Sequence, residues 1–226
     1  MTARSYDVIT FDCYGTLIDW EAGITRAFAR AAARDGIEVE TARVLEAYLA
    51  SERVVEGETY RRYRDVLVET ARRVAADLQW PLDPAAAVFL PESLGEWPPF
   101  PDTNPALQRL VAAGYRLGIL SNVDDDLLAA TRKHLAVSFD LLVTAQQVRS
   151  YKPAPAHWHE ARRRIGDARW LHAAQSYYHD VAAARGLGIP VAWINRHGQP
   201  PGSAGPSDRT LRNLTELADW LAPSNR

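Results

Sequence analysis

A short apolar run, "YDVITF" at 6–11, ends on Asp12, and nothing like it recurs for some ninety residues. The run has the length of a buried strand. After Trp20 the apolar positions change period. Ile24, Ala27, Phe28 and Ala31 recur at helical spacing, and Gly36 supplies a stop. Val44, Leu45, Tyr48 and Leu49 form a second helical stripe after Thr41. Tyr60, Tyr63, Leu67, Ala71, Val74 and Leu78 form a third. "EWPPFPD" at 96–102 then carries three prolines, which no helix interior tolerates. This segment is the expected hinge between two domains.

Beyond it the period alternates. "YRLGILSN", "FDLLVTA", "RWLHAAQ" and "PVAWIN" read as strands, and the segments before, between and after them read as helices. "LTELADWLA" closes the pattern as a helix. Alternating strands and helices predict an α/β fold, a doubly wound parallel sheet with right-handed crossovers. The expected domains are a core of 1–19 and 98–226 and an inserted all-helical cap of 20–97. Ligands in such sheets sit at the carboxyl ends of the strands. The residues to read together are therefore Asp12, Ser121 with Asn122, the 144–152 loop and the 175–180 segment, with the cap above them as a lid.

Composition narrows the classes. With 226 residues, 47% hydrophobic and 24% charged, the chain has the balance of a globular protein. A net charge of −2 gives no electrostatic basis for binding nucleic acid or an anionic membrane. Cys13 is the one cysteine, so no internal disulfide forms. No apolar run approaches the ~20 residues of a membrane span. Arg4 is followed by no leader-like apolar core, so no signal peptide is expected and the expected location is cytoplasmic. "RHGQPPGSAGPSDR" at 196–209 reads as a surface loop.

A carboxylate at a buried strand end needs a partner, and Lys152 in "YKPAP" can supply it. A pair about 4 Å apart at an effective dielectric of about 20 gains roughly 4 kcal/mol. That would keep Asp12 ionised, as a nucleophile must be. Thr16, Ser121 and Asn122 add hydrogen-bonding groups. Asp124, Asp125 and Asp126 read as the acidic first turn of a helix. His157 and His159 read as helix surface, and His179 as a pocket residue.

"FDCYGTLIDW", "LSN" at 120–122, "SYKPAP" at 150–155 and "HD" before "IPVAWINR" occur in one order. Together they resemble the four motifs of the haloacid dehalogenase superfamily, whose core is Rossmann-like. Most of its members are magnesium-dependent phosphatases, with a second aspartate two residues after the nucleophile and an aspartate ligand in the last motif. Here Tyr14 and Gln175 stand at those places. Tyrosine at the first is what the L-2-haloacid dehalogenase branch shows. The resemblance thus implies a hydrolase acting on carbon–halide bonds, with no metal and no cofactor. Asp12 would displace the leaving group at C2 of a small 2-substituted carboxylic acid with inversion, and water would hydrolyse the aspartyl ester.

By the same resemblance Thr16, Ser121 and Lys152 orient Asp12, and Ser176 and Asp180 complete the catalytic set. The backbone at Tyr14 binds the substrate carboxylate, and Asn122, Trp158 and Tyr177 line the substrate site. Arg43 and Arg53 are the candidates for the cap arginine that cradles the halide. The branch's Ser-Ser-Asn-x-Trp-Asp motif is replaced by "QSYYHD" at 175–180. The alternatives are carbon–nitrogen cleavage, as in azetidine-2-carboxylate ring opening, a phosphatase with an altered metal site, and a non-catalytic scaffold. A homodimer is the assembly common in relatives.

Overall fold

The computed structural model describes residues 4–223. Residues 1–3 and 224–226, at the outer ends of the expected core segments, lie outside it. Strand β1 (Val8–Phe11) is buried along its whole length. The chain then enters a helical block of α1 (Trp20–Arg34), α2 (Thr41–Glu56), α3 (Tyr63–Asp77) and α4 (Phe89–Ser93). Helix α5 (Thr103–Ala112) leads to β2 (Arg116–Ser121), α6 (Asp125–Thr131), β3 (Leu141–Thr144), α7 (Ala145–Val148) and α8 (Ala156–Ile165). Then come β4 (Trp170–Ala174), a π-helical turn at Tyr177–Val181, α9 (Ala182–Gly186), β5 (Val191–Ile194), β6 (Arg209–Leu211) and α10 (Leu214–Leu221). Strand β6 and the short α7 were not predicted.

The six strands pair in the order β3-β2-β1-β4-β5-β6, all parallel. The fold class is the one expected, a Rossmann-like parallel sheet. Its inner strands β1, β4 and β5 are buried along their length, as expected of a sheet covered on both faces. The topological switch lies beside β1, which puts Asp12 and the ends of β2 and β4 around one crevice.

The turn after β1 sets up that crevice. Gly15 adopts φ +93°, open to glycine at no steric cost, and its N–H donates to the Ile18 carbonyl at 2.8 Å. The two segments joining the helical block to the sheet lie side by side. Asp19 N donates to Pro98 O at 2.8 Å and Phe100 N to Leu17 O at 3.1 Å. Inside the block, Phe28 packs edge-on against Phe89 and Trp80, with centroids 5.1 and 6.5 Å apart.

Asp124 departs from the expected acidic first turn. It stands at the N-cap of α6 but makes no side-chain bond there. Its buried carboxylate instead accepts from Tyr63 N at 3.2 Å and Arg64 N at 2.9 Å. It therefore satisfies the open N–H groups at the start of α3, across the crevice. Asp126 adds an ion pair to Arg64 at 2.6 Å.

Candidate active site

Lys152 sits at the centre of the crevice, 2% exposed. Its ammonium donates to Asp12 Oδ1 at 2.9 Å, to Asp180 Oδ1 at 2.7 Å and to the Leu120 carbonyl at 2.9 Å. All three ammonium hydrogens are thereby used. Asn122 fixes the lysine backbone from both sides. Its Oδ1 accepts from Lys152 N at 2.7 Å and its Nδ2 donates to Lys152 O at 3.1 Å. Thr16 donates to Asp12 Oδ2 at 2.9 Å and accepts from Gln175 N at 2.9 Å.

Burial pushes the Asp12 carboxyl above its ordinary value, while the Lys152 ammonium pulls it back. For Asp180 burial acts the same way, but Lys152 and His172 outweigh it and hold the carboxyl well below the usual range. Burial works against the Lys152 charge, yet the two carboxylates raise its pKa.

A second layer supports Asp180. His172 Nε2 donates to Asp180 Oδ1 at 3.1 Å, and Thr10 Oγ1 meets His172 Nδ1 at 2.8 Å. Trp170 Nε1 donates to that threonine oxygen at 2.7 Å. His172 entered no predicted site; a histidine inside an apolar strand was the available signal. Ser176 caps the π-helical turn, accepting from His179 N at 3.1 Å.

Asp12 opens onto a cavity of about 210 Å³. Tyr14, Ser121, Asn122, Lys152, Ser176 and Asp180 line it from the sheet side, joined by Gln175 and His179. Trp20, Tyr48, Leu49, Glu52, Glu56 and Tyr63 are among the residues lining it from the helical block. Ser121 Oγ and Asp180 Oδ2 are buried here without a hydrogen-bond partner among the described residues. The Tyr14 hydroxyl is spent on Thr131 Oγ1 at 2.9 Å, and its ring packs edge-on against Trp97.

Two expected pocket residues lie elsewhere. Trp158 is 1% exposed and packs under the site, edge-on against His172 at 4.7 Å. Tyr177 points away, its one hydroxyl hydrogen shared between Gly205 O at 2.6 Å and Gly202 O at 3.0 Å, and so ties down the 196–209 loop. Its neighbour Ser176, at the cap of the π-helical turn, lines the cavity instead. Neither arginine reaches the cavity. Arg43 lines a separate surface groove, and Arg53 lies over the Tyr178 ring at 5.6 Å. In their place are Glu52 and Glu56. Glu52 Oε1 accepts the Tyr48 and Tyr63 hydroxyls at 2.5 Å each.

His157 is also corrected. It is buried, with Nε2 donating to Ser121 O at 3.2 Å, whereas His159 is exposed. Burial, with Lys152 nearby, pushes the His157 imidazole down to about 3. His172 and His179 are also lowered, by burial first. Unfolded histidine titrates near 6.5. Between those values the unfolded chain binds protons that the folded chain refuses, so stability falls as pH falls. His157 alone contributes up to about 1.4 kcal/mol per pH unit. The urea midpoint is therefore expected to drop between about pH 7 and about pH 5, with a shallower drop in His157→Gln. A midpoint independent of pH contradicts this.

The donor set does not fit a divalent cation. Magnesium requires an octahedron of oxygens, but an ammonium lies between the Asp12 and Asp180 carboxylates. The Gln175 backbone carbonyl accepts from Trp193 Nε1 at 2.9 Å. Among the described residues no cluster of three His, Cys, Asp or Glu is placed to hold a metal.

The family model for haloacid dehalogenase-like hydrolases matches residues 6–185. The chain belongs to that family. Within the haloacid dehalogenase-like hydrolases its likeness is to the L-2-haloacid branch. It is 33% identical over 130 residues to an (S)-2-haloacid dehalogenase of Pseudomonas putida, covering 56% of this chain and 57% of that protein. The match thus spans little more than half the length of that relative. Haloacetate dehalogenase H-2 of a Moraxella species is 27% identical over 199 residues, covering 86% of this chain and 88% of that one. A crystal structure of a defluorinating L-2-haloacid dehalogenase superposes with a TM-score of 0.82 at 25% identity, over 96% and 95% of the two chains. Among the described residues no helix of this family member is long and apolar enough to cross a membrane.

Proposed function

We propose that the protein is a metal-independent hydrolase of carbon–halide bonds, acting at C2 of a small carboxylic acid. The observation that carries this reading is the Lys152 ammonium held between Asp12 and Asp180, with Asp12 lining a cavity between the sheet edge and the helical block. The similarity to 2-haloacid dehalogenases points to the same chemistry.

Asp12 attacks C2 from the sheet side, and the leaving group departs with its electron pair toward the helical block. The configuration inverts. The product is an ester on Asp12, whose carbonyl oxygen Lys152 polarises. Water then adds to that carbonyl, positioned by the free Asp180 Oδ2, and the 2-hydroxy acid leaves. A departing halide needs no proton. That is why Tyr14, with its hydroxyl engaged by Thr131, can stand where phosphatases keep an acid. The backbone beside Tyr14 and the Ser121 hydroxyl receive the substrate carboxylate. Residues 20–97 serve as the cap that excludes water from the ester.

Halide release from the two enantiomers of 2-chloropropionate, with chelator present, tests the reading. Release from one enantiomer, lost in Asp12→Asn, is expected. Release of phosphate from phosphate esters that requires magnesium, with no halide release, contradicts it.

A further inference from the structure

The cavity wall opposite Asp12 is acidic. Glu56 on α2 lines it and accepts no side-chain hydrogen bond among the described residues; His179 Nε2 lies 3.8 Å away. Glu52, one turn earlier, stands behind it with Tyr48 and Tyr63 on its Oε1. With Asp12 and Asp180 the cavity is lined by four carboxyl groups. Against them stands one cationic side chain of the lysine or arginine type, Lys152. Its hydrogens are already committed to Asp12, Asp180 and Leu120.

A plain anionic acid entering this space meets a wall of carboxyl groups on the cap side, and the one lysine or arginine lining it, Lys152, has its hydrogens already committed. On the sheet side, Ser121 Oγ and Asp180 Oδ2 are buried without hydrogen-bond partners among the described residues. The missing complement is a hydrogen-bond donor with positive charge, placed toward α2.

We propose that Glu56, backed by Glu52, receives a basic nitrogen of the substrate, so that the preferred substrate is a small zwitterion with an amine close to the reacting carbon. This rests on the Asp12 reading above and adds the substrate class. Burial, together with the Glu52 charge, lifts the Glu56 carboxyl above its usual range when the cavity is empty. An ammonium at hydrogen-bond distance reverses that and restores a charge-assisted pair. The substrate carboxylate keeps its place at the Tyr14 backbone and Ser121.

The test compares 3-amino-2-chloropropionate with 2-chloropropionate, each blanked against Asp12→Asn. The wild type is expected to favour the amino acid by roughly tenfold or more in kcat/KM, the size of one charge-assisted contact. Glu56→Gln should erase that ratio mainly through KM, and Glu56→Asp should recover part of it. A measurement free of variants accompanies these: β-alanine should inhibit wild-type halide release at far lower concentration than propionate. Preference for the plain anion, or equal loss on both substrates in Glu56→Gln with unchanged inhibition by the two acids, overturns the proposal and leaves the Asp12 reading standing. No halide from either substrate, with an unmodified Asp12 peptide, overturns both.

Discussion

Asp12→Asn is expected to lower turnover by roughly 10⁴-fold or more, the scale on which removing a nucleophile acts. Asparagine keeps the size of the side chain and can still accept from Thr16, whose bond to Asp12 Oδ2 is 2.9 Å. It does not attack carbon, and no other carboxylate can replace it. Asp180 is occupied by Lys152 and His172 through Oδ1, and it sits in the π-helical turn after β4. The variant should fold, because Lys152 retains Asp180 and the Leu120 carbonyl. Circular dichroism checks the fold and halide release checks the rate. Residual turnover within tenfold of wild type would assign the chemistry to another group.

Lys152→Met should be the most damaging single change to stability. It leaves Asp12 and Asp180, both buried, without their shared cation. Removing one partner of a buried ionic group costs about 3–5 kcal/mol. For a chain of this size that lowers Tm by about 10 °C. Activity should vanish as well, since the ammonium that polarises the Asp12 carbonyl is gone. The loss should shrink as pH falls and the orphaned carboxylates take up protons. A thermal scan at neutral and mildly acidic pH measures both effects. A variant as stable as wild type would mean that the ammonium does not hold the two carboxylates together.

The residues that make this centre were readable because each ends a strand. An apolar run that stops on Asp12, Ser121 or the 175–180 segment marks the carboxyl edge of a parallel sheet, and the topology brings those ends together. Lys152 was readable through its proline-flanked motif. The opposite wall was not. Glu52 and Glu56 look like ordinary polar positions on a helix. Tyr48, Glu52 and Glu56 are nevertheless spaced by four and follow the buried face of α2 that includes Val44 and Tyr48, which was the signal that they face inward. His157 shares that lesson: with Ala161 and Ile165 it forms a buried stripe of α8. Tyr177 was misplaced because a π-helical turn shifts side-chain direction relative to the strand that precedes it. Strand β6 is three residues beside a loop rich in proline and glycine, too short to carry a period.

The most direct measurement is a single turnover in heavy-oxygen water with enzyme in excess over 2-chloropropionate, read by mass spectrometry of product and of the peptide containing Asp12. The first product is expected to carry ordinary oxygen, taken from Asp12, and the Asp12 peptide to gain the heavy isotope. Heavy oxygen in the first product, with an unlabelled Asp12 peptide, would mean that water attacks carbon directly and that Asp12 is not the nucleophile.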